Sequence, residues 1–461
     1  MPESSSSSPS SQPSGPSRRG PAEGGRSTDR AIVSLAVPAL GALVAEPLFV
    51  LVDSAVVGTL GTTPLAGLAL ASTVLMTVVG LAVFLAYTTT ASVSRALGAG
   101  DGPRAMRLGV EGMWLAVALG AVCAAALWTT APWLMHALGA DGEVARQGVS
   151  YLRWSAPGLP GMLAVLAATG ALRGALDTRT PLAVAATGAV VNAVLSVTFV
   201  LGLGMGIAGS GLGTALTQLG MGVVLARVVA SAARDQGVSL RPTRSGVAAG
   251  ARSGLPLLLR TVSLRIAILL AAWVAAGLGT VALAGHQVVM ALWGLAAFAL
   301  DALAIAAQAL VGRALGAADR AAARALLRRT VQWGVVTGAV LGVLLGTTGW
   351  WLATLFTDDD AVRRAVTLSL LVVAVTVPVA AVVFVLDGVL IGAGDGRYLA
   401  VAGLATLLVY APAAVAVRLW APGDGTGLAW PWVAFAGVFI GARALSTGLR
   451  ARGRAWMVTG A

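Results

Sequence analysis

GTTPLAG at residues 61–67 recurs as GTVALAG at residues 279–285, 218 positions further along the chain. The same offset aligns Pro38 with Pro256, RALG 95–98 with RALG 313–316, Pro160 with Pro378, and GALD 174–177 with GAGD 392–395. Five spaced anchors at one offset indicate an internal duplication. Because both copies are strongly apolar, the duplication predicts two membrane-embedded halves, a plan that encloses a substrate path in many secondary transporters.

Composition assigns the chain to the membrane proteins. Of its 461 residues, 57% are hydrophobic and only 11% are charged, which is not typical of a soluble domain. The net charge of +12 could indicate a nucleic-acid partner. We reject that reading because the basic residues lie in short loops between apolar segments. The single cysteine, Cys123, excludes an intramolecular disulfide.

Apolar segments long enough to cross a bilayer need about 20 residues, and the chain holds twelve. They lie near residues 31–57, 65–94, 109–131, 151–172, 181–203, 206–230, 254–278, 280–311, 330–355, 367–392, 399–418 and 426–447. The repeat aligns the first six segments with the last six. We therefore expect an all-α integral membrane protein, with two pseudo-symmetric six-helix bundles around a central cavity.

The arginines orient these spans. Of the 31 basic residues, all arginine, 24 lie in or beside the tails and even-numbered loops, and five lie in the odd-numbered loops. By the positive-inside rule, both termini are cytosolic. The predicted organisation is a disordered cytosolic tail at 1–30, bundles at 31–231 and 253–447, a cytosolic linker at 232–252, and a cytosolic tail at 448–461.

Two acidic residues of the first span share one helix face. Glu46 and Asp53 are seven residues apart, about two helical turns, and Pro38 and Pro47 lie on the same helix, where each proline can bend it. Burial favours the neutral form of a carboxyl group, so Asp53 is a candidate proton switch. The alternative is an acid that only pairs with polar neighbours and holds helices together.

Other polar residues within the spans complete two candidate sites. Asn192 and Ser196, one turn apart in span five, and Thr214 in span six could serve Asp53 or simply join helices. In the second half, Asp53 aligns with Ala271, so the two halves differ in chemistry. The candidates there are Asp301, Asp387 and Gln308, with Arg260 and Arg265 as the expected counter-ions of the two acids.

The chain carries no sequence signature of catalysis. It has no metal-ligand cluster, P-loop, catalytic triad or nucleotide fingerprint, so we expect a protein that is not an enzyme and has no cofactor. Without an ATP site, any pumping draws on an ion gradient, in which one charge crossing 100 mV is worth about 2.3 kcal/mol.

Several motifs together resemble the multidrug and toxic compound extrusion (MATE) family, in its DinF-like branch. They are the first-span stretch Pro38–Gly61, LAG 65–67, LRGALDTRTP 172–181, NAVLS 192–196, GIAGSGLGTAL 206–216, AGHQV 284–288, LDALAIAAQALVGRALGA 300–317 and LDGVLIGAGD 386–395. The resemblance covers about residues 31–447. It implies export of amphipathic, often cationic, compounds by alternating access, coupled to a cation.

The resemblance also assigns roles within the first bundle. It implies that Asp53 carries the proton, that its protonation is linked to bending at Pro38, and that Asn192 and Thr214 share its pocket. Ser196 departs from the pattern, because the family often has a second acid at this position. We therefore expect a site with one acid, which favours a proton over sodium as the coupling ion.

The expected function is proton-coupled efflux of xenobiotics by a monomer in a bacterial plasma membrane. Sodium coupling stays open. A flippase for lipid-linked precursors would need a large arginine-lined cavity, whereas only Arg260 and Arg265 lie well away from the ends of the predicted spans. A major-facilitator exporter lacks support because its signature loop after span two is absent. A receptor or scaffold does not explain the duplication and the buried acids.

Overall fold

A computed structural model describes residues 21–423 and 426–460 of the chain. Residues 1–20 of the predicted disordered tail lie outside the described residues. The described chain forms helices joined by short turns, without a strand, and twelve of its helices are long and apolar enough to cross a membrane. They are α1 Pro21–Gly58, α2 Thr62–Gly98, α3 Gly102–Ala137, α4 Gly142–Gly174, α5 Arg179–Gly202, α6 Ile207–Asp235, α7 Arg244–Gly277, α8 Thr280–Gly316, α9 Arg320–Thr354, α10 Asp360–Gly392, α11 Gly396–Trp420 and α12 Ala429–Arg452.

The predicted duplication is present in the backbone. Left-handed residues occur in pairs at the same offset: Gly61 with Gly279, Gly100 with Ala318, and Leu176 with Gly394. Close helix contacts also repeat. Gly120 packs on Pro160 as Gly338 packs on Pro378, and Gly170 packs on the Ala86 backbone as Gly388 packs on that of Ala304. The six-helix bundles α1–α6 and α7–α12 therefore share one packing scheme.

The two RALG motifs meet where the bundles cross. Gly98 at the end of α2 packs against the backbone carbonyl of Arg313, and Gly316 at the end of α8 packs against that of Arg95. A Cβ atom at either glycine would overlap the facing carbonyl oxygen. The pseudo-twofold relation thus places identical motifs in reciprocal contact, and glycine permits the close approach.

We call the membrane face at this crossing the basic face; it holds the beginning of α1 and the end of α12. Further contacts between the bundles pair α1 with α8 and α9, α2 with α7 and α10, α3 with α7, and α4 with α8. Large apolar side chains on the outer surfaces of the helices remain exposed, for example Val375 at 79% and Leu269 at 67%, as lipid contact requires.

Three predicted boundaries were wrong. Helix α1 begins at Pro21 rather than near residue 31, and proline is favoured in the first helical turn. Asp29 on this extension accepts hydrogen bonds from Nε of Arg329 at 2.6 Å and Nε1 of Trp333 at 2.9 Å. These contacts to α9 stabilise the helical extension of α1, although composition alone predicts that this segment is disordered.

The linker and the final tail are also shorter than predicted. Only residues 236–243 separate α6 from α7, and Thr243 caps α7 by accepting from the Gly246 N–H at 3.1 Å and donates to Glu111 at 2.6 Å. Helix α12 continues to Arg452, so the final tail starts at residue 453. Trp456 and Met457 of that tail are buried against the bundle.

Candidate functional site

A carboxyl group inside the first bundle is surrounded by hydrogen-bond donors. Asp53 lies near the end of α1 and is only 3% exposed. Its Oδ1 accepts from Nδ2 of Asn192 at 3.1 Å and from Oγ of Ser196 at 2.6 Å. Its Oδ2 accepts from Oγ1 of Thr214 at 2.9 Å and from the Tyr151 hydroxyl at 3.5 Å. The structure therefore brings together all four predicted residues and adds Tyr151.

Helical spacing explains how the donors converge. Asn192 and Ser196 are one turn apart on α5, so both side chains point from one face toward α1. Both are fully buried. Thr214 lies on α6 and donates to the other carboxylate oxygen of Asp53. A polar group in the apolar membrane interior is costly unless it is hydrogen-bonded, and this arrangement pairs the carboxylate on both oxygens.

Sequence reasoning missed Tyr151. It was the first residue of the predicted fourth span, where a tyrosine is typical of an interfacial anchor. In the structure α4 begins earlier, at Gly142, so Tyr151 lies more than two turns inside it and is buried. Only the tertiary packing of α4 against α6 places its hydroxyl beside Asp53.

The Asp53 shell consists of neutral groups. No arginine or histidine forms an ion pair with Asp53 in the described ranges 21–423 and 426–460. No group of three or more His, Cys, Asp or Glu side chains that could hold a metal ion occurs in the same ranges. The charge of this carboxylate is therefore balanced by hydrogen bonds alone.

The described residues of the second bundle form no equivalent of this pocket. At the offset of 218 residues the five members of the pocket are replaced by Ala271, Ser369, Tyr410, Ala414 and Trp432. Tyr410 and Trp432 are buried, and both pack edge-on against Phe435. Aromatic side chains thus fill the volume that carries polar groups in the first bundle, so only one bundle can hold a titrating acid at this position.

A separate ionic cluster lies inside the second bundle. Asp387 on α10 accepts from Nη2 of Arg260 on α7 at 2.5 Å and from Nη2 of Arg443 on α12. The expected pairing of Arg260 with an acid is therefore present. The second partner, Arg443, lies inside the predicted span 426–447, so a count of charges within spans would have found it.

The expected pairing of Arg265 was wrong. Arg265 is exposed on α7, where it makes no ion pair with any described residue, and its guanidinium packs over Gly80 of α2. It lies more than one helical turn beyond Arg260 and on a different side of α7, because five residues turn a helix by about 140° past one full turn. A shared span therefore does not imply a shared face.

Asp301 and Gln308 on α8 of the second bundle both interact with residues of the first bundle. The Asp301 carboxylate on α8 interacts electrostatically with the guanidinium groups of Arg173 and Arg260, without direct ion-pair contact among the described residues. Arg173 belongs to α4 of the first bundle and is buried. Gln308 donates from Nε2 to the backbone carbonyl of Tyr87 on α2 at 2.7 Å. Sequence reasoning did not select Arg173, which lies next to the loop that follows α4.

The prolines proposed to bend the first span both lie inside α1. Pro38 and Pro47 interrupt neither its helical course nor its contact with α5, and α1 is one continuous helix from Pro21 to Gly58. Bending at either proline stays a prediction. The side chain of Glu46 lies outside the described part of the structure.

Two small cavities continue from Asp53 through the first bundle. The first, of about 20 Å³, is lined by Asp53, Tyr151 and Gln218, and the second, of about 110 Å³, by Gln218, Thr169 and Arg173. They share Phe49, Val79, Met162 and Gln218 as walls. A space of about 10–15 Å³ holds one water molecule, so both have room for water next to polar groups.

The MatE family model matches residues 38–198 of this chain and matches again at residues 256–415. The chain belongs to the MATE family. The two matches begin 218 residues apart, the same offset as the internal repeat. This MATE protein is accordingly a multi-pass membrane transporter and not an enzyme.

Curated relatives and solved structures agree with this assignment. Protein DETOXIFICATION 44, chloroplastic, of Arabidopsis thaliana is 32% identical over 378 residues, which cover 79% of this chain and 72% of that protein. DNA damage-inducible protein F of Escherichia coli strain K12 is 30% identical over 300 residues, 64% of this chain and 65% of that protein. The Vibrio cholerae MATE transporter VcmN in its bent form has a TM-score of 0.83 at 22% identity, covering 93% of this chain and 98% of that one.

Proposed function

We propose that this MATE protein is a proton-coupled exporter of amphipathic, often cationic, small molecules in a bacterial plasma membrane. The observation that carries the proposal is the environment of Asp53, an acid buried among neutral donors with no cationic side chain of the described residues paired to it. The proposal puts both termini in the cytosol, and the concentration of arginines on the basic face supports this orientation.

The Asp53 shell can accommodate both charge states of the acid. Hydrogen bonds from Asn192, Ser196 and Thr214 stabilise the carboxylate after the proton has left. When the proton returns, the carboxyl group becomes a donor. A hydroxyl group of Ser196, Thr214 or Tyr151 can then rotate and accept, because hydroxyl groups both donate and accept. Neither state leaves the buried acid unpaired.

The same shell is less suited to sodium. The pocket contains one carboxylate, and the Asn192 amide presents its Nδ2 donor to it, while Asn192 Oδ1 is buried without a hydrogen-bond partner among the described residues. A sodium ion would need several oxygen ligands turned toward it, and Asn192 would have to reverse. The aromatic filling of the second bundle offers no alternative carboxylate at the equivalent position.

In the proposed cycle, Asp53 takes up a proton from outside and substrate leaves the protein. Loss of that proton toward the cytosol resets the carboxylate for the next substrate. The two cavities between Asp53 and Arg173 have room for water. They support this route because they lead from α1 toward the basic face. Arg173, which interacts electrostatically with Asp301 of the second bundle, lines the cavity at the inner end of this route.

A lipid-linked precursor flippase has weaker support. Arg260 and Arg443 are both bound to Asp387, and Arg173 interacts electrostatically with Asp301, so each of these three arginines within the bundles has an acidic neighbour. Arg265, also within a predicted span, is exposed without an acidic partner among the described residues. Among the described residues, this single unpaired guanidinium in the interior of a span does not form the arginine-lined cavity that a large anionic precursor would require within the membrane.

The test is transport of a fluorescent cation into everted membrane vesicles, whose cytosolic face is outside, with proton movement recorded by a pH-sensitive dye. We expect Asp53→Asn to abolish both proton-linked signals, because an amide cannot exchange a proton. Dye binding to the purified variant should persist. Wild-type efflux by Asp53→Asn would refute the role of this acid. Transport that requires sodium at fixed pH would replace proton coupling with sodium coupling.

A further inference from the structure

A cleft of about 610 Å³ opens at the basic face between the two bundles. The first bundle contributes the end of α2 and the first turns of α3, including Ser92, Arg104 and Leu108. The second bundle contributes α7 and the turn between α10 and α11, including Arg252 and Arg397. This cleft is remote from Asp53 and takes no part in the proposed proton cycle.

The cleft carries positive charge that the protein does not balance. Arg95, one of its four arginines, is already bound to the backbone carbonyls of Ala393 at 2.6 Å, Val458 at 2.9 Å and Gly460 at 2.6 Å. The lining acid, Asp395, accepts from Nε of Arg450 at 2.7 Å. Arg104, Arg252 and Arg397 have no acidic partner among the described residues and are exposed.

The charged residues that line the cleft lie nearer the membrane surface than the apolar ones. Leu108 lies one turn deeper in the membrane than Arg104 on α3, and Pro256 lies one turn deeper than Arg252 on α7. One turn is about 5–6 Å of depth. Guanidinium groups thus surround the mouth of the cleft, and an apolar wall completed by Leu257 and Ile391 lies behind them. This order matches an amphiphile with an anionic head at the membrane surface.

We propose that this cleft binds the phosphodiester headgroup of an anionic phospholipid from the leaflet at the basic face. Arginine pairs with phosphate oxygens through two parallel N–H donors, so three guanidinium groups suit one phosphodiester. The first carbons of the acyl chains lie along the apolar wall. Because Arg104 belongs to one bundle and Arg252 and Arg397 belong to the other, a bound headgroup joins the bundles on this face.

Free phosphate shares the headgroup chemistry but not the apolar part. Inorganic phosphate would satisfy the arginines and leave Leu108, Pro256 and Leu257 uncovered, whereas a phospholipid contacts both. Anionic lipids are also attracted to basic residues at the cytosolic surface of membranes. The lipid is therefore the occupant that accounts for all of the lining.

Native mass spectrometry of the purified full-length protein, titrated with dioleoyl phosphatidylglycerol or dioleoyl phosphatidylcholine, tests the proposal. We expect tighter binding of phosphatidylglycerol by the wild type. Each guanidinium near an anionic headgroup contributes about fivefold, so the Arg252→Gln, Arg397→Gln double variant should bind it about 25-fold more weakly. The corresponding double lysine variant retains charge and should recover part of the affinity.

Arg179→Gln is the matched control. Arg179 occupies the repeat position equivalent to Arg397, is exposed on the same face and does not line the cleft. Its variant should bind phosphatidylglycerol like the wild type. Equal binding of the two lipids, an unchanged double variant, or an equal loss in Arg179→Gln would overturn the proposal. If inorganic phosphate raises the thermal unfolding midpoint as much as phosphatidylglycerol, free phosphate replaces lipid as the ligand. None of these readouts depends on transport.

Discussion

Two buried aspartates in this protein have opposite environments. Asp53 is held by an amide and hydroxyl groups, whereas Asp387 is held by the guanidinium groups of Arg260 and Arg443. A guanidinium beside a carboxylate forms an ion pair with it, whereas neutral amide and hydroxyl groups offer only hydrogen bonds. The neighbouring groups, and not the acid itself, therefore distinguish Asp53, the candidate proton carrier, from Asp387, which belongs to a structural ion pair.

Ser196 makes the shortest hydrogen bond to Asp53, at 2.6 Å. We expect Ser196→Ala to reduce proton-driven transport about tenfold, because a hydrogen bond to a charged group contributes about 1.5–3 kcal/mol. Initial rates of dye efflux from vesicles with an imposed pH gradient measure this effect.

The same change in an Asp53→Asn background separates a direct effect from general damage. If Ser196 acts through the carboxylate, its loss should have no additional effect on dye binding or residual transport once that carboxylate has been replaced by an amide. Additive losses in the double variant would show that Ser196 acts independently of Asp53.

At the scale of elements, the Asp387 cluster ties α7, α10 and α12 together. Asp387→Ala would leave the buried guanidinium of Arg443 and the largely buried one of Arg260 without this counter-charge. Breaking a buried ion pair in this way costs about 3–5 kcal/mol. We expect a clear fall in the thermal unfolding midpoint of the purified protein.

Glu143→Gln provides the comparison for this change. Glu143 pairs with Arg146 through side chains that are 48% and 72% exposed, respectively. Exposed pairs contribute about 0–1 kcal/mol, so this variant should unfold near the wild-type midpoint. Similar midpoints for the two variants would show that the Asp387 cluster is not a stabilising tie.

The close crossing of α2 and α8 is possible because Gly98 has no side chain. Gly98→Ala places a methyl group against the Arg313 carbonyl, where the backbones cannot separate without moving the bundles. Overpacking of this kind costs about 1–3 kcal/mol, so we expect lower stability and impaired transport. Gly294→Ala on α8, which meets no atom within 4 Å, should stabilise or leave the protein unchanged. Equal behaviour of the two variants would contradict the close crossing.

At the scale of the whole molecule, the final tail connects the bundles across the basic face. Arg95 on α2 binds carbonyl groups of the tail and of the second bundle, while Arg320 on α9 donates from Nε to the Met457 carbonyl at 3.2 Å. Any opening of this face that separates the bundles must break the hydrogen bonds of Arg95.

We therefore expect Arg95→Gln to increase opening of the basic face at least about tenfold, since several charge-assisted hydrogen bonds are lost. The measurement is the rate of thiol labelling at Ser94→Cys, a buried position beside Gly312 of α8, in a Cys123→Ser background. Arg107→Gln, an exposed change on α3, is the control. Unchanged labelling in Arg95→Gln would show that the tail does not restrain the bundles.

The duplication, the twelve spans and the lone acid beside Asn192, Ser196 and Thr214 could all be predicted from the amino-acid sequence. Apolar length and repeated motifs are local properties of a chain, and helical spacing places polar groups on definable faces. The folded bundles were needed to bring Tyr151 to Asp53, to give Asp387 the partner Arg443 and to leave Arg265 unpaired. Those relations depend on the rotation and depth of helices that are distant in sequence, which packing decides.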